Sequence, residues 1–178
     1  MKKHNTALLV IDMQNSVVAR AYLRDEVIAN INRLVQKARS KKIPVIWIQH
    51  SSNQLKINSD GWKYVPELQR QNDETLVHKV YGDSFEATNL KVELDKLNVG
   101  RVVVVGAQTD ACIRATLHGA FVRGYDTVLV SDAHTTEDLT AYGLPSPEKI
   151  IAFTNMYWTW QEGPGREACV VKTAEVEF

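Results

Sequence analysis

Short apolar runs alternate with longer amphipathic segments along the chain. The runs carry apolar residues at nearly every position, so neither face of them suits solvent, and they are too short to cross a membrane. This pattern is typical of buried strands in a parallel sheet. The predicted strands cover residues 7–11, 45–48, 76–79, 102–105, 127–130 and 169–171.

Apolar residues recur at helical spacing between these runs. Helices are predicted from Asp25, around residues 90–97, after Cys112 up to Gly124, and from Pro147. The face of the first helix carries Val27, Ile28, Ile31, Leu34, Val35 and Ala38. Alternating strands and helices predict an α/β fold: a three-layer α-β-α sandwich with a central six-stranded, mostly parallel, Rossmann-like sheet.

The chain of 178 residues, 44% of them hydrophobic and 24% charged, is long enough for one well-buried domain over residues 1–178. Residues 51–72 show no sustained period, and loops of this length tend to be functional or mobile. Its 21 basic and 21 acidic residues balance, without a basic stripe, so nucleic acid is not an expected partner. The short apolar run ending at Asp12 fits neither a signal peptide nor a membrane span, which predicts a cytoplasmic protein without a membrane partner.

The two cysteines, Cys112 and Cys169, form no CxxC pair, so neither a zinc site nor a disulfide is indicated. Cys112 falls in the first turn of a predicted helix, where the helix dipole is expected to lower the pKa of a thiol and make it nucleophilic. A small buried apolar role is the alternative. Cys169 stands beside Val170 and Val171, and that apolar role is expected for it.

Polar residues follow several predicted strands at their carboxyl ends. In open α/β sheets, ligands bind beyond these ends. Asp12, residues 49–50, Lys79 and residues 106–112 all occupy such positions, which predicts that a carboxylate, an ammonium and a thiol converge. The duller alternatives are a loop-holding Asp12, a solvated Lys79 and a surface His50.

Four stretches of the chain, in this order, resemble the isochorismatase-like cysteine hydrolase family, which is related to the nicotinamidases. The likeness covers nearly the whole chain. One departure is Ser16-Val17, where the family usually has a large residue. The stretches are residues 9–15, residues 78–81 followed by 84–85 and 88–90, residues 105–113, and residues 124–125 leading into 131–133.

This resemblance implies a catalytic triad of Asp12, Lys79 and Cys112. It also implies hydrolysis of a small amide through an acyl-thioester, because relatives that cleave a vinyl ether tend to lack the cysteine. The backbone N–H groups of Gln108 and Cys112 are the implied oxyanion donors, with a cis peptide bond between Ala107 and Gln108.

Nicotinamidases of the family hold a metal through an Asp-x-His pair after the second strand. Here that place reads Gln49-His50, without a carboxylate, and His118 and His134 lie on other elements. A lone imidazole does not make a metal site. The sequence therefore predicts an enzyme without metal or cofactor that hydrolyses nicotinamide poorly. The residues expected to line its substrate pocket are Gln14, Trp47, His50, Tyr81 and Ala107.

Other functions stay open at this stage: a nicotinamidase, a scaffold or thiol sensor on the same fold, or a nucleotide-binding module. The last is disfavoured because residues 12–15 read Asp-Met-Gln-Asn and not a glycine-rich loop. Aromatic residues crowd the end of the last helix, which predicts a homodimer or homotetramer, with ordinary core packing as the alternative. They are Tyr157, Trp158 and Trp160.

Overall fold

A computed structural model describes residues 5–178; residues 1–4, part of the N-terminal stretch considered above, lie outside the described residues. The core is one six-stranded sheet with the order β3-β2-β1-β4-β5-β6, in which each neighbouring pair is parallel. The α/β class and the parallel sheet are thus confirmed. The strands are β1 Asn5–Ile11, β2 Val45–His50, β3 Thr75–Lys79, β4 Val99–Ala107, β5 Asp126–Thr135 and β6 Ala168–Val171.

Helices cover both faces of the sheet, which explains why the central strands are apolar on both sides. One face packs against α1, and its buried residues are the six predicted from helical spacing. The other face packs against α2 and α3, together with Trp158 of α4. The helices are α1 Arg24–Ser40, α2 Leu90–Lys96, α3 Arg114–Val122 and α4 Pro147–Thr159. Within residues 5–178, none of them combines the length and hydropathy needed to span a bilayer.

The strand order reverses around β1, which pairs with β2 on one side and β4 on the other. At the carboxyl end of this pair, Gly106 lies opposite Ile11 with a φ of 125°. A Cβ at Gly106 would lie 2.1 Å from the Ile11 carbonyl oxygen. Glycine is therefore required where β1 and β4 end together.

The long segment between β2 and β3 contains no helix or strand, in line with the loop prediction, yet backbone hydrogen bonds fix it across the end of β1. The Asn15 N–H donates to the Lys63 carbonyl at 2.9 Å, and the Val65 N–H donates to the Met13 carbonyl at 3.0 Å. This loop accordingly covers the strand ends where the ligand site was expected.

β6 is an edge strand of four residues, and Cys169 is exposed on it. The expectation that Cys169 packs as a small apolar residue is therefore wrong. An edge strand has a neighbour on one side alone, so the apolar residues of β6 are not all enclosed by the core.

Candidate active site

Three strand ends bring the predicted catalytic side chains together. Asp12 directly follows β1 with a φ of 50°, and Lys79 is the last residue of β3. Cys112 lies beyond β4 in a π-helical turn, Thr109–Ile113, that runs into α3. We call residues 109–113 the cysteine turn.

Lys79 contacts both other residues of this group. Its Nζ lies 2.7 Å from Oδ2 of Asp12 and 3.1 Å from Sγ of Cys112. The same ammonium donates to the Tyr81 carbonyl at 3.1 Å and faces Nδ1 of His50 at 3.4 Å. The side chains of Lys79 and Asp12 are 0% and 2% exposed, so the ion pair is sequestered from water.

Burial sets the charge state of the thiol. It raises the pKa of Cys112 to about 12, and the negative charge of Asp12 adds to the rise, whereas Lys79 acts in the opposite direction. The expectation that a helix N-terminus lowers this pKa is wrong, because desolvation of the thiolate outweighs the favourable charges around it. The resting thiol is therefore protonated.

Asp12 is a stronger base than an exposed carboxylate. Burial raises the pKa of its carboxyl above the ordinary value, although the charge and hydrogen bond of Lys79 oppose the rise. The raised pKa of the acceptor makes proton transfer from Cys112 less unfavourable, and the Lys79 ammonium beside the sulfur stabilises the thiolate that forms. Asp12 is therefore suited to accept the proton of the Cys112 thiol when the sulfur attacks a substrate.

His50 is half-buried beside this group and is neutral. Burial lowers the pKa of His50, and the charge of Lys79 lowers it further. Because an ammonium can donate but not accept, Nδ1 of His50 carries the lone pair and Nε2 carries the proton.

Gln14 does not present its side chain to a substrate. Its Nε2 donates to the carbonyls of His50 and Trp62 at 2.9 and 2.8 Å, and its Oε1 accepts the N–H of His50 at 2.9 Å. The expected pocket role is wrong because the amide already bonds the end of β2 to the covering loop.

Trp47 and Ala107 also do not line the site formed by Asp12, Lys79 and Cys112. Both are fully buried in the core on the α1 face, and the indole N–H of Trp47 donates to Glu74 at 2.7 Å. Side chains alternate along a strand, so Trp47 and His50 point to opposite faces of β2. The prediction that Trp47 and His50 line one pocket overlooked this alternation.

Gln108 and Tyr81 remain at the margin of the site. The Gln108 carbonyl accepts the N–H groups of Ala111 and Ile113, on either side of Cys112, and its side chain donates to the Val17 carbonyl at 3.2 Å. The Ala107–Gln108 peptide bond is cis. The side chain of Tyr81 is exposed.

The side chains of two cysteine-turn residues are hydrogen-bonded to residues at the end of β5, which the sequence analysis did not predict. Thr109 Oγ1 lies 2.8 Å from Nδ1 of His134, and the hydroxyl of Thr136 donates to Asp110 at 2.6 Å. The strand predicted from the sequence ended at residue 130, so His134 and Thr136 were not assigned to the end of a strand. No motif in the sequence indicates the pairing.

The donor set after β2 does not fit a metal. The Gln49 amide donates to the Trp62 carbonyl at 2.9 Å, and His50 faces an ammonium that would repel a cation. Across residues 5–178, no three His, Cys, Asp or Glu side chains are grouped to hold a metal ion.

Fold and site together define a class of protein: a parallel α/β sheet whose strand ends place a buried Asp–Lys pair against a cysteine thiol. The isochorismatase domain model matches residues 6–143. The chain therefore belongs to the isochorismatase family, as the resemblance predicted.

Individual relatives agree with this assignment. Streptothricin hydrolase from Streptomyces noursei is 30% identical over 178 residues, covering 97% of this chain, which spans 64% of that protein. Ureidoacrylate amidohydrolase RutB from Pseudomonas syringae is 29% identical over 175 residues, covering 75% of this chain and 71% of the relative. The solved structure of an isochorismatase from Pseudomonas putida has a TM-score of 0.87 at 26% identity, covering 97% of this chain and 90% of its own.

Proposed function

We propose that this protein is a cysteine hydrolase that cleaves the C–N bond of a small amide through an acyl-thioester. The observation that carries the proposal is the position of Lys79 Nζ, in contact with both Asp12 and Cys112. The relatives named as a hydrolase and an amidohydrolase support the reaction class.

In the first step the sulfur of Cys112 attacks the carbonyl carbon while its proton passes to Asp12. The transfer accompanies the attack because a thiol with a pKa of about 12 is protonated at neutral pH. Lys79, 3.1 Å from the sulfur, stabilises the negative charge that develops there.

The attack leaves a tetrahedral carbon with a negatively charged oxygen, for which the backbone N–H groups of Gln108 and Cys112 are the donors. When the C–N bond breaks, Asp12 returns its proton to the leaving nitrogen, which departs as ammonia or an amine. Water then attacks the thioester with Asp12 again as base. The products are a carboxylic acid and the restored thiol.

The substrate class is a small amide whose binding needs no metal. Nicotinamidases of the family grip the pyridine nitrogen with a metal, and here Gln49 and His50 do not fit one. Nicotinamide is therefore expected to be turned over poorly, and added chelator should leave turnover unchanged.

A panel of small amides that includes nicotinamide, read out by release of ammonia or amine, tests the proposal. We expect turnover of at least one amide, and Cys112→Ser should lower it by about 10⁴-fold or more because the hydroxyl is a poorer nucleophile with this base. Cys169→Ala is the matched control and should retain full activity, since Cys169 lies on the exposed edge strand. A folded protein that turns over none of the panel and forms no thioester by mass spectrometry would favour the scaffold function.

A further inference from the structure

His134, in β5, joins the cysteine turn to α4. It is fully buried, with Nδ1 2.8 Å from Thr109 Oγ1 and Nε2 2.9 Å from Asn155 Oδ1. Thr109 is the first residue of the cysteine turn, and Asn155 lies in α4. One imidazole therefore connects three elements behind the thiol.

The direction of each hydrogen bond follows from the far end of this connection. Nδ2 of Asn155 donates to the Ser131 carbonyl at 3.3 Å, so its Oδ1 is the atom that faces His134. Nε2 of His134 must then carry the proton, and its Nδ1 accepts the hydroxyl proton of Thr109. Burial lowers the pKa of His134 to about 4, so the ring is neutral near pH 7 and the chain of bonds runs in one direction.

A second bond from the same strand end holds the next residue of the turn. The hydroxyl of Thr136 donates to Asp110 at 2.6 Å. Two consecutive residues at the start of the cysteine turn are thus tied to residues 134–136, while Cys112, two positions further on, contacts Lys79. Movement of the start of the turn would carry the thiol with it.

We propose that His134 is a positioning residue, which acts with Asn155 through Thr109 to hold the Cys112 thiol against Asp12 and Lys79. The proposal rests on the proposed function for its effect on turnover but not for its effect on the thiol. A thiol released from this buried position is more solvated, so its pKa falls towards that of an ordinary cysteine and it alkylates faster. The same release slows catalysis because Asp12 no longer meets the proton.

Thr109→Val tests this directly, because valine keeps the volume of threonine and removes the hydroxyl that His134 accepts. Thr109→Ser keeps the hydroxyl. The matched control is Thr127→Val in the same strand as His134, where the removed hydroxyl is buried without a hydrogen-bond partner. All variants are made in the Cys169→Ala background, so that Cys112 is the cysteine that iodoacetamide alkylates.

Alkylation at pH 8 is followed by mass spectrometry, and kcat and KM are measured on an active amide. For Thr109→Val we expect alkylation of Cys112 to be about tenfold faster and kcat to be about tenfold lower, with KM little changed. Thr109→Ser and Thr127→Val should match the parent in both measurements. A generally loosened fold would not produce this pattern in one valine variant and spare the other.

Parental alkylation and kcat in a folded Thr109→Val variant would overturn the proposal. If that variant does not fold, Asn155→Ala replaces it, because it removes the distal bond on a half-buried helix face, and we expect the same two changes at smaller size. Unchanged alkylation in Asn155→Ala would likewise count against the proposal. If the parent turns over no amide and Thr109→Val is alkylated faster than the parent, the positioning role is upheld and the proposed function is rejected.

Discussion

Lys79 is the residue on which the charge balance of the site depends. An ammonium has three protons, and this one faces four acceptors, in Asp12, His50, Tyr81 and Cys112. Burying the Asp12–Lys79 pair costs solvation free energy, which the pair recovers through its short contact and added hydrogen bonds. Removing one partner should therefore cost far more than removing both.

We predict that Lys79→Met lowers the free energy of unfolding by about 3–5 kcal/mol, because it leaves the Asp12 carboxylate buried and uncompensated. The double variant Asp12→Asn/Lys79→Met should regain most of that loss. Urea denaturation at pH 7 measures both values. Lys91→Met is the control, since Lys91 pairs with Asp95 at 2.6 Å on the exposed surface and should cost below about 1 kcal/mol. Equal losses in the single and double variants would contradict the prediction.

We predict that His134 makes the free energy of unfolding depend on pH. Its pKa is about 4 when folded, against an ordinary value of 6.5, so between these limits the unfolded chain binds more protons than the folded one. The free energy of unfolding therefore falls as pH falls, by about 2 kcal/mol from pH 7 to pH 5 through this group. Asp132, the charged group acting on the ring, opposes the shift of pKa.

Denaturation with urea at both pH values checks this, and the quantity to compare is the pH-dependent loss in the parent against that in His134→Asn. Subtracting the loss in the variant from the loss in the parent removes the contribution of Asp12. The raised pKa of Asp12 makes the free energy of unfolding rise, not fall, as pH falls in the acidic range. The variant should lose less stability between pH 7 and pH 5. A loss as large as that of the parent would assign the pH dependence to other groups.

The convergence of Asp12, Lys79 and Cys112 was predictable because strand ends can be identified from apolar runs and their parallel arrangement follows from the alternation with helices. What sequence could not supply was the degree of burial. Desolvation reverses the expected shift of the Cys112 pKa, and alternation along β2 sends Trp47 away from the site. The role of His134 was missed because β5 continues past Ser131 and Asp132, which mimic a strand end.

At the scale of elements, the site depends on how closely β1 and β4 approach at their ends. Gly106 lies six positions before Cys112 in the sequence. It pairs with Ile11, the residue that precedes Asp12. The sequence indicated a strand followed by a helix here, and the structure shows that one π-helical turn comes between them. Gly106, the last residue but one of β4, thus has a packing reason that its position in the sequence did not reveal.

We predict that Gly106→Ala destabilises the protein by about 3 kcal/mol or more, because its Cβ would lie 2.1 Å from a backbone oxygen that cannot rotate away. Gly124→Ala is the matched control: its φ is also positive, at 90°, but nothing lies within 4 Å of the added Cβ. That change should cost about 1 kcal/mol. Thermal or urea unfolding of the two variants compares them, and similar losses would refute the close-approach argument.

At the scale of the whole molecule, an apolar groove of about 680 Å³ runs between α3 and α4. Of the aromatic residues considered for self-association, Trp158 belongs to the core, Tyr157 lines the groove and Trp160 is 67% exposed. Phe153, also in the groove, is 60% exposed and stacks on Tyr157. Exposed apolar surface of this kind is typical of a protein interface.

We predict that a second copy of the same chain occupies this groove. Arg114 and Lys149 line it together with Asp110, which leaves a small excess of positive charge. The chain that leads to Pro145, which also lines the groove, carries the acidic Asp138 and then Tyr142, which is 80% exposed. In the predicted dimer, a two-fold axis would let the segment that carries Asp138 and Tyr142 in each copy enter the groove of the other, as in an isologous interface. The balanced net charge adds no long-range repulsion between copies.

We therefore predict a dimer, or a tetramer built from it, at micromolar concentration. Phe153→Glu should raise the dissociation constant by at least about tenfold, because it would bury a carboxylate in the interface. Val92→Glu is the control, since Val92 is 53% exposed on α2 and away from the groove. Sedimentation equilibrium across a concentration series measures the masses. A monomeric parent, or a Phe153→Glu variant that associates as well as Val92→Glu, would show that this groove is not where two copies meet.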